Sequence, residues 1–250
     1  MDDAPDDRPT VKSARRVLEI LEFFAQGRRE ATVMEVADAL AYPQSSTTAL
    51  LSSLATLGYL RVDAARRTYR PTLRVMLLGS WLQDELFGQG SLVGAMEWLR
   101  QRTRQSVMLG LRQGIHVRFI FCLKGLEPGA LLYPIGILRP VCRSAVGKML
   151  LSGLSDAEVL SVAREANARE PAENRVALRE LLAEIGAIRE RGWAMTVDYP
   201  LPDRATLAVA LPPLAGQPPM AITLGARKSR MLARQAPFLE ALRETCGRVA

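Results

Sequence analysis

The sequence predicts an α+β protein in two parts, on three observations. Residues 32–71 compress two short amphipathic helices, a proline-marked turn and a basic hairpin into one compact stretch. Residues 73–87 read as a helix too apolar to stand alone. From residue 92 onward, strand-like runs are separated by unevenly placed helices, which suits a mainly antiparallel sheet better than a regular βαβ repeat. At 250 residues the chain can bury one large core or two modest ones.

The elements follow in order. Residues 1–9 are acidic and polar, the reverse of a signal peptide's basic and apolar order, and are expected to be a disordered tail. Ser13 can cap a first helix with Val17, Leu18, Leu21 and Ala25 among its apolar positions, ending near Gly27. Thr32 and Glu35 have the spacing of a capping box, and Val33, Val36, Ala37 and Leu40 then recur as one apolar face. Pro43 stops that helix and suits the first turn of the next. The next helix is expected to bury Leu50, Leu54 and Leu57, leaving Gln44, Ser45, Ser46, Thr47, Thr48, Ser52 and Ser53 on its other side. After Gly58, Tyr59–Val62 reads as a strand, followed by a turn and Arg66-Arg67-Thr68-Tyr69-Arg70. Three helices and a basic hairpin over residues 10–72 are a winged helix-turn-helix, a device for reading DNA.

The apolar helix over 73–90 carries Leu73, Met76, Leu77, Leu78, Trp81 and Leu82. It reads equally as a subunit contact and as a core helix of the second part; a two-fold dimer would present two wings to DNA. Gly88-Gln89-Gly90 marks a break. Residues 91–250 then read as a helix at 92–103, strands at 107–111 and 115–122, and helices at 145–152, 156–168 and 175–191. Strands at 194–197, 206–211 and 220–224 and one closing helix at 229–249 complete the pattern. Ser155 and Glu158 form a second capping box.

Charge needs locating before it is interpreted. The formal net charge is +7, yet residues 1–90 hold 11 Lys/Arg against 12 Asp/Glu. Within residues 8–74 the balance is 11 against 6, so the DNA-reading segment is itself basic. No apolar run approaches the roughly 18 residues that span a bilayer. Three widely spaced cysteines, Cys122, Cys142 and Cys246, imply neither a disulfide framework nor a zinc site, and a reducing cytoplasm is expected. The sequence holds no Gly-x-Ser-x-Gly, P-loop, dinucleotide fingerprint or His/Cys metal set, and His116 is the only histidine. A non-enzymatic protein without metal or cofactor is expected. The competing reading is a small-molecule-binding enzyme or sensor whose N-terminal module makes protein contacts.

Several segments together resemble the IclR family of bacterial transcriptional regulators. They are Ser13-Ala14-Arg15-Arg16-Val17-Leu18, Tyr42-Pro43-Gln44-Ser45-Ser46-Thr47, Leu57-Gly58-Tyr59-Leu60, Cys142–Leu151 with its Ala-x-Gly-Lys core, and Ile188-Arg189-Glu190-Arg191-Gly192-Trp193-Ala194. The resemblance runs from about residue 11 to 249. It implies a winged-helix DNA reader, a linker helix that pairs subunits into dimers or tetramers, and a GAF-like effector-binding domain answering to a small organic or aromatic acid. The sequence departs from the family where Gln44 and Ala49 replace basic residues, and where Pro202-Asp203-Arg204 replaces Pro-Gly-Val.

Candidate residues follow from both readings. Gln44, Ser45, Ser46, Thr47 and Thr48 open the recognition helix; Gln suits adenine edges, and Ser or Thr suits bases or phosphates. Arg66, Arg67 and Arg70 in the wing, with Lys12 and Arg15 on the first helix, suit phosphates. In the second part, Ser144, Ala145, Val146 and Gly147 sit where a loop turns into a helix; small residues admit a ligand, and free N–H groups favour a carboxylate. The resemblance makes this the effector site, and places Asp198 and Thr206 on strands facing it.

Overall fold

The computed structural model describes residues 11–25, 30–78 and 92–249. The chain divides into two compact units at Leu82/Gln83. The expected tail at 1–9, the helix end near Gly27, residues 79–87 of the apolar helix and the Gly88–Gly90 break lie outside the described residues.

The first unit is built on α1 (Lys12–Ala25), β1 (Ala31–Thr32), α2 (Val33–Leu40), α3 (Gln44–Thr56), β2 (Leu60–Asp63), β3 (Thr68–Pro71) and α4 (Leu73–Leu77). The capping box forms at α2: Glu35 N–H donates to Thr32 Oγ1 at 3.3 Å, and Thr32 N–H donates to the Glu35 carboxylate at 2.7 Å. Ala41, in the left-handed conformation at φ 53°, ends α2, and α3 begins one residue after Pro43. The strands form an antiparallel sheet in the order β1-β3-β2. Ile20, Phe23, Phe24, Val36, Leu51, Leu54 and Leu60 make the core.

One face of α3 differs from expectation. Thr47, Leu51 and Leu54 are the buried residues, at i, i+4, i+7. Leu50 is half-buried, and Leu57 lies past the last helical turn and is 57 % exposed. Two leucine stripes with the same spacing compete on this helix, and packing against α2 and β2 selects the one that begins at Thr47.

The second unit contains α5 (Leu92–Thr103), β4 (Ser106–Gln113), β5 (His116–Leu123), β6 (Leu138–Pro140), α6 (Ala145–Leu151), α7 (Asp156–Arg169) and α8 (Leu178–Arg191). It continues with β7 (Ala194–Val197), β8 (Arg204–Ala210), β9 (Met220–Arg227), α9 (Lys228–Ala233) and α10 (Gln235–Val249). Six strands form one antiparallel sheet in the order β6-β5-β4-β9-β8-β7. The edge strand β6 has no counterpart in the sequence expectation, and the closing helix is two helices parted at Arg234.

Period-two alternation sorts residues between the two faces of the sheet. Val107, Leu109, Leu207, Val209, Ile222 and Leu224 share one core with Leu92, Met96, Leu99, Phe238 and Leu242 of α5 and α10. Met108, Ala194, Ala208 and Ala221 face the opposite core with α6, α7 and α8. That second face is rich in small side chains, so α6 approaches the sheet closely. A Cβ on Gly110 would meet Val146 Cγ1 at 3.0 Å.

Candidate functional site

The outer surface of α3 is uncharged and polar. Gln44, Ser45, Thr48, Ala49, Ser52 and Ser53 are exposed, and Ser46 is half-buried. The Thr48 hydroxyl donates to Gln44 O and the Ser53 hydroxyl to Ala49 O, both at 2.8 Å. Their hydrogens are thus used within the helix, and their lone pairs remain as acceptors. Thr47 is a correction: it is fully buried, and its hydroxyl donates to Pro43 O at 3.1 Å. It holds the first turn of α3 rather than facing outward.

The wing turn is closed by Asp63, whose Oδ1 accepts from Ala65 N–H at 3.0 Å and Arg66 N–H at 3.1 Å. Arg67 takes the left-handed conformation at φ 52° at the wing tip. Arg66 lies 3.5 Å from Glu30, while Arg70 is exposed directly across the ladder from Arg61. Arg61 was not among the expected contacts; only the strand register reveals it. Lys12 and Arg15 are exposed on the first turn of α1. The next residue, Arg16, stacks 4.6 Å from the centre of the Tyr42 ring, and the Tyr42 hydroxyl donates to Glu19. These contacts lock α1 onto the turn that precedes α3.

In the second unit, Ser144, Ala145 and Val146 line an inner cavity of about 20 Å3, with Met108, Phe119, Tyr133, Arg139, Thr196, Tyr199, Pro200, Thr206 and Thr223. Thr196 and Thr206 are cross-strand neighbours with hydroxyls 2.7 Å apart, and the Thr223 hydroxyl donates to Leu207 O at 2.9 Å. Burial raises both the Tyr133 and Tyr199 phenols above the ordinary tyrosine value, so both stay protonated donors at neutral pH. Tyr133, Arg139 and Tyr199 escaped the sequence reading because they come from loops and an edge strand with no motif of their own.

Two expected effector residues stand elsewhere. Gly147 does not line the cavity; a Cβ there would fall 2.0 Å from Val141 O, so the glycine permits α6 to pack on the backbone of its own approach loop. Asp198 is exposed, at φ 56°, in the turn between β7 and β8. One of its carboxylate oxygens pairs with Lys228 and the other accepts from Asp203 N–H at 2.9 Å. The Lys228 hydrogen bond, then the Asp203 one, hold this carboxyl below the usual aspartate value. It pins a turn. The expected free N–H groups at the start of α6 are also partly spent, since Ser144 Oγ accepts from Gly147 N–H at 3.1 Å.

Behind the cavity lies a polar groove of about 430 Å3 that shares Thr196 and Tyr199 with it. The Arg143 guanidinium stacks 4.8 Å from the centre of the Tyr199 ring and donates to Asn174 Oδ1 at 2.6 Å, and Lys148 pairs with Glu184 at 2.7 Å. Cys142 is buried, with its thiol pushed up to about 11, which makes it a small apolar residue rather than a nucleophile. Among the described residues, no cluster of three His, Cys, Asp or Glu could hold a metal ion, and no helix is long and apolar enough to cross a membrane.

Comparison with known proteins adds independent findings. Residues 13–64 match the family model described as the IclR helix-turn-helix domain, and residues 91–250 match that described as bacterial transcriptional regulator IclR C-terminal. The chain is similar to the HTH-type transcriptional regulator XynR of Escherichia coli (strain K12), 24% identical over 188 residues that cover 75% of each protein. Its fold resembles the crystal structure of an IclR transcriptional regulator from Alicyclobacillus acidocaldarius, with a TM-score of 0.83, 18% identity, and coverage of 96% of this chain and 98% of that one. It also resembles an IclR homologue from Microbacterium hydrocarbonoxydans complexed with 4-hydroxybenzoate, with a TM-score of 0.74, 20% identity, and coverage of 95% and 97%.

Proposed function

The chain belongs to the IclR family of bacterial transcriptional regulators, with a helix-turn-helix domain and a C-terminal ligand-binding domain, and from this premise we propose that it is a cytoplasmic regulator whose operator affinity is set by a small organic or aromatic acid. The observation that carries the DNA part is the opposed Arg61 and Arg70 beside the exposed, uncharged face of α3. Like charges facing each other on a two-stranded ladder cost stability in isolation. Both side chains gain if they meet phosphates, while Gln44, Ser45 and Thr48 reach base edges. Lys12, Arg15, Arg66 and Arg67 add phosphate contacts, and the half-buried Ser46 stands at the edge of the reading face. Two copies in a dimer, or a dimer of dimers, would read half-sites of a roughly palindromic operator.

The effector part rests on the cavity beneath α6. It combines apolar walls, from Met108, Phe119 and Val146, with hydroxyls from Ser144, Thr196 and Thr206. The Microbacterium homologue was crystallised with an aromatic hydroxy acid, and a ligand of that class suits such a lining. At about 20 Å3 the cavity holds roughly one water, so binding requires its walls to part. Ligand binding is then coupled to a rearrangement of the domain, repressing or activating according to which arrangement grips DNA.

Fluorescence anisotropy with DNA flanking the chain's own gene tests the proposal. Expected are saturable binding, competition by the same but not by scrambled sequence, and an affinity that falls steeply with salt through counterion release. An enzyme or sensor with a protein-binding N-terminal module would show no sequence-specific, salt-dependent complex, and that outcome would refute the DNA role. Added aromatic acids should change the measured affinity; a DNA complex indifferent to every acid tried would refute the effector role.

A further inference from the structure

We propose that Arg139 recognises the carboxylate of the effector, so that the inner cavity takes a monocarboxylic acid with a flat apolar body rather than a neutral or cationic compound. The inference rests on the reading of this cavity as the effector site.

Arg139 is the single charged residue among those that line the cavity. It lies on the edge strand β6 directly across from Val117, which is fully buried in the core beneath α6. Directly opposed residues on a ladder project to the same face, so the register aims a guanidinium inward at an edge where a solvent-facing arginine would be unremarkable. Its hydrogen bond within the chain runs from Nη1 to Leu138 O at 3.0 Å, and among the described residues it forms no ion pair. A guanidinium carries five N–H donors in a fixed fork. The guanidinium is half exposed and keeps N–H donors beyond the one spent on Leu138 O, and a bidentate carboxylate is its natural complement.

The rest of the lining narrows the ligand class. Thr196 and Thr206 share one hydrogen bond, Thr223 donates to Leu207 O, and Ser144 Oγ accepts from Gly147 N–H, so the hydrogens of Ser144 and of one of the two threonines remain as neutral donors. The Tyr133 and Tyr199 phenols both lie within the electrostatic reach of Arg139. The lining thus combines one guanidinium fork with neutral hydroxyl-bearing side chains and the apolar Met108, Phe119 and Val146. No carboxylate lines it to hold an amine. Thr196 and Tyr199 also border the groove, where Arg143 lies over the Tyr199 ring, so a shift of Tyr199 with Arg143 would give a ligand larger than water its room.

Isothermal titration of the full chain with benzoate, 4-hydroxybenzoate and their neutral amides tests this, on the wild type and on Arg139→Gln, Arg139→Lys and Arg112→Gln. Expected is binding of at least one acid and neither amide. Arg139→Gln should weaken acid binding by about 30-fold or more, the equivalent of losing a charge-assisted hydrogen bond. Arg139→Lys, a charge without the fork, should fall between, and Arg112→Gln, which removes an exposed charge on β4, should match the wild type. Unliganded melting curves establish that each variant is folded. Unchanged acid affinity in Arg139→Gln, amides binding as tightly as acids, or no acid bound at millimolar concentration each overturns the proposal. Acid binding that depends on Arg139 but leaves DNA affinity untouched instead upholds the carboxylate site and removes its effector role.

Discussion

Arg61 and Arg70 stand directly opposite each other across the wing ladder, both exposed and neither ion-paired among the described residues. The wing thus keeps a local repulsion that isolated folding would select against. Replacing both with alanine should lower the salt dependence of DNA binding by about two in the log–log slope, one per phosphate contact. The same double variant should be no less stable than the wild type, since about 0.2–1 kcal/mol of repulsion is relieved. Anisotropy titrations across a salt series and a urea melt check both halves; an unchanged slope would remove the pair from the interface.

Thr47 and Gln44 are one helical turn apart and should respond in opposite ways. Thr47→Val removes a buried hydroxyl that bonds Pro43 O, and should cost about 1 kcal/mol in a urea melt, the net worth of that bond, while the preference for operator over scrambled DNA survives. Gln44→Ala, on the exposed face, should leave stability within about 0.5 kcal/mol and reduce that preference. Loss of discrimination in Thr47→Val at full stability would return it to the reading face.

Two helical glycines give a matched pair. Gly147→Ala places a methyl 2.0 Å from Val141 O, a backbone atom that cannot swing aside, and should destabilise the second unit by roughly 3 kcal/mol or more. Gly186→Ala, on α8 with nothing within 4 Å of the new methyl, should stabilise it by about 0.5–1 kcal/mol through helix propensity. Chemical denaturation of both variants gives the signs. A neutral Gly147→Ala would show that the loop before α6 yields.

Asp198 should act on stability and not on ligand choice. Its carboxyl is held below the usual value by Lys228 and by Asp203 N–H, so its contribution is present above the unfolded value, about pH 3.9, and is lost as pH falls through the lower folded value. Because the group is exposed, the effect is small and screened by salt. Asp198→Asn should melt slightly below the wild type at pH 7, and the gap should close as pH drops below about 4. A change in acid binding would place Asp198 back in the site.

Legibility followed the range of the interaction. The Thr32/Glu35 and Ser155/Glu158 capping boxes were readable because each involves residues three apart, and both form. Strands β4, β5, β7, β8 and β9 were readable as short runs rich in apolar residues, while the three-residue β6 was not. The buried stripe of α3 was not, since Leu50-Leu54-Leu57 and Thr47-Leu51-Leu54 have equal helical spacing and only the neighbours distinguish them. Gly147 looked like room for a ligand and is room for Val141; a small residue leaves the same trace in sequence for either use. Asp198 was placed by analogy of register, yet the chain leaves β7 one residue earlier, and its side chain turns outward to Lys228.

By itself the sequence determined the two-part α+β plan, the winged helix-turn-helix with its basic hairpin, and the family, because caps, periodicity and short motifs are local properties of the chain. Tertiary structure alone decided which hydroxyls of α3 remain outside, that Arg61 faces Arg70, and that Tyr133, Arg139 and Tyr199 converge on Thr196 and Thr206. Those residues are far apart in the chain or alike in local pattern. Strand register and the close approach of α6 to a sheet face of small side chains bring them together, and both are set by packing across the whole domain.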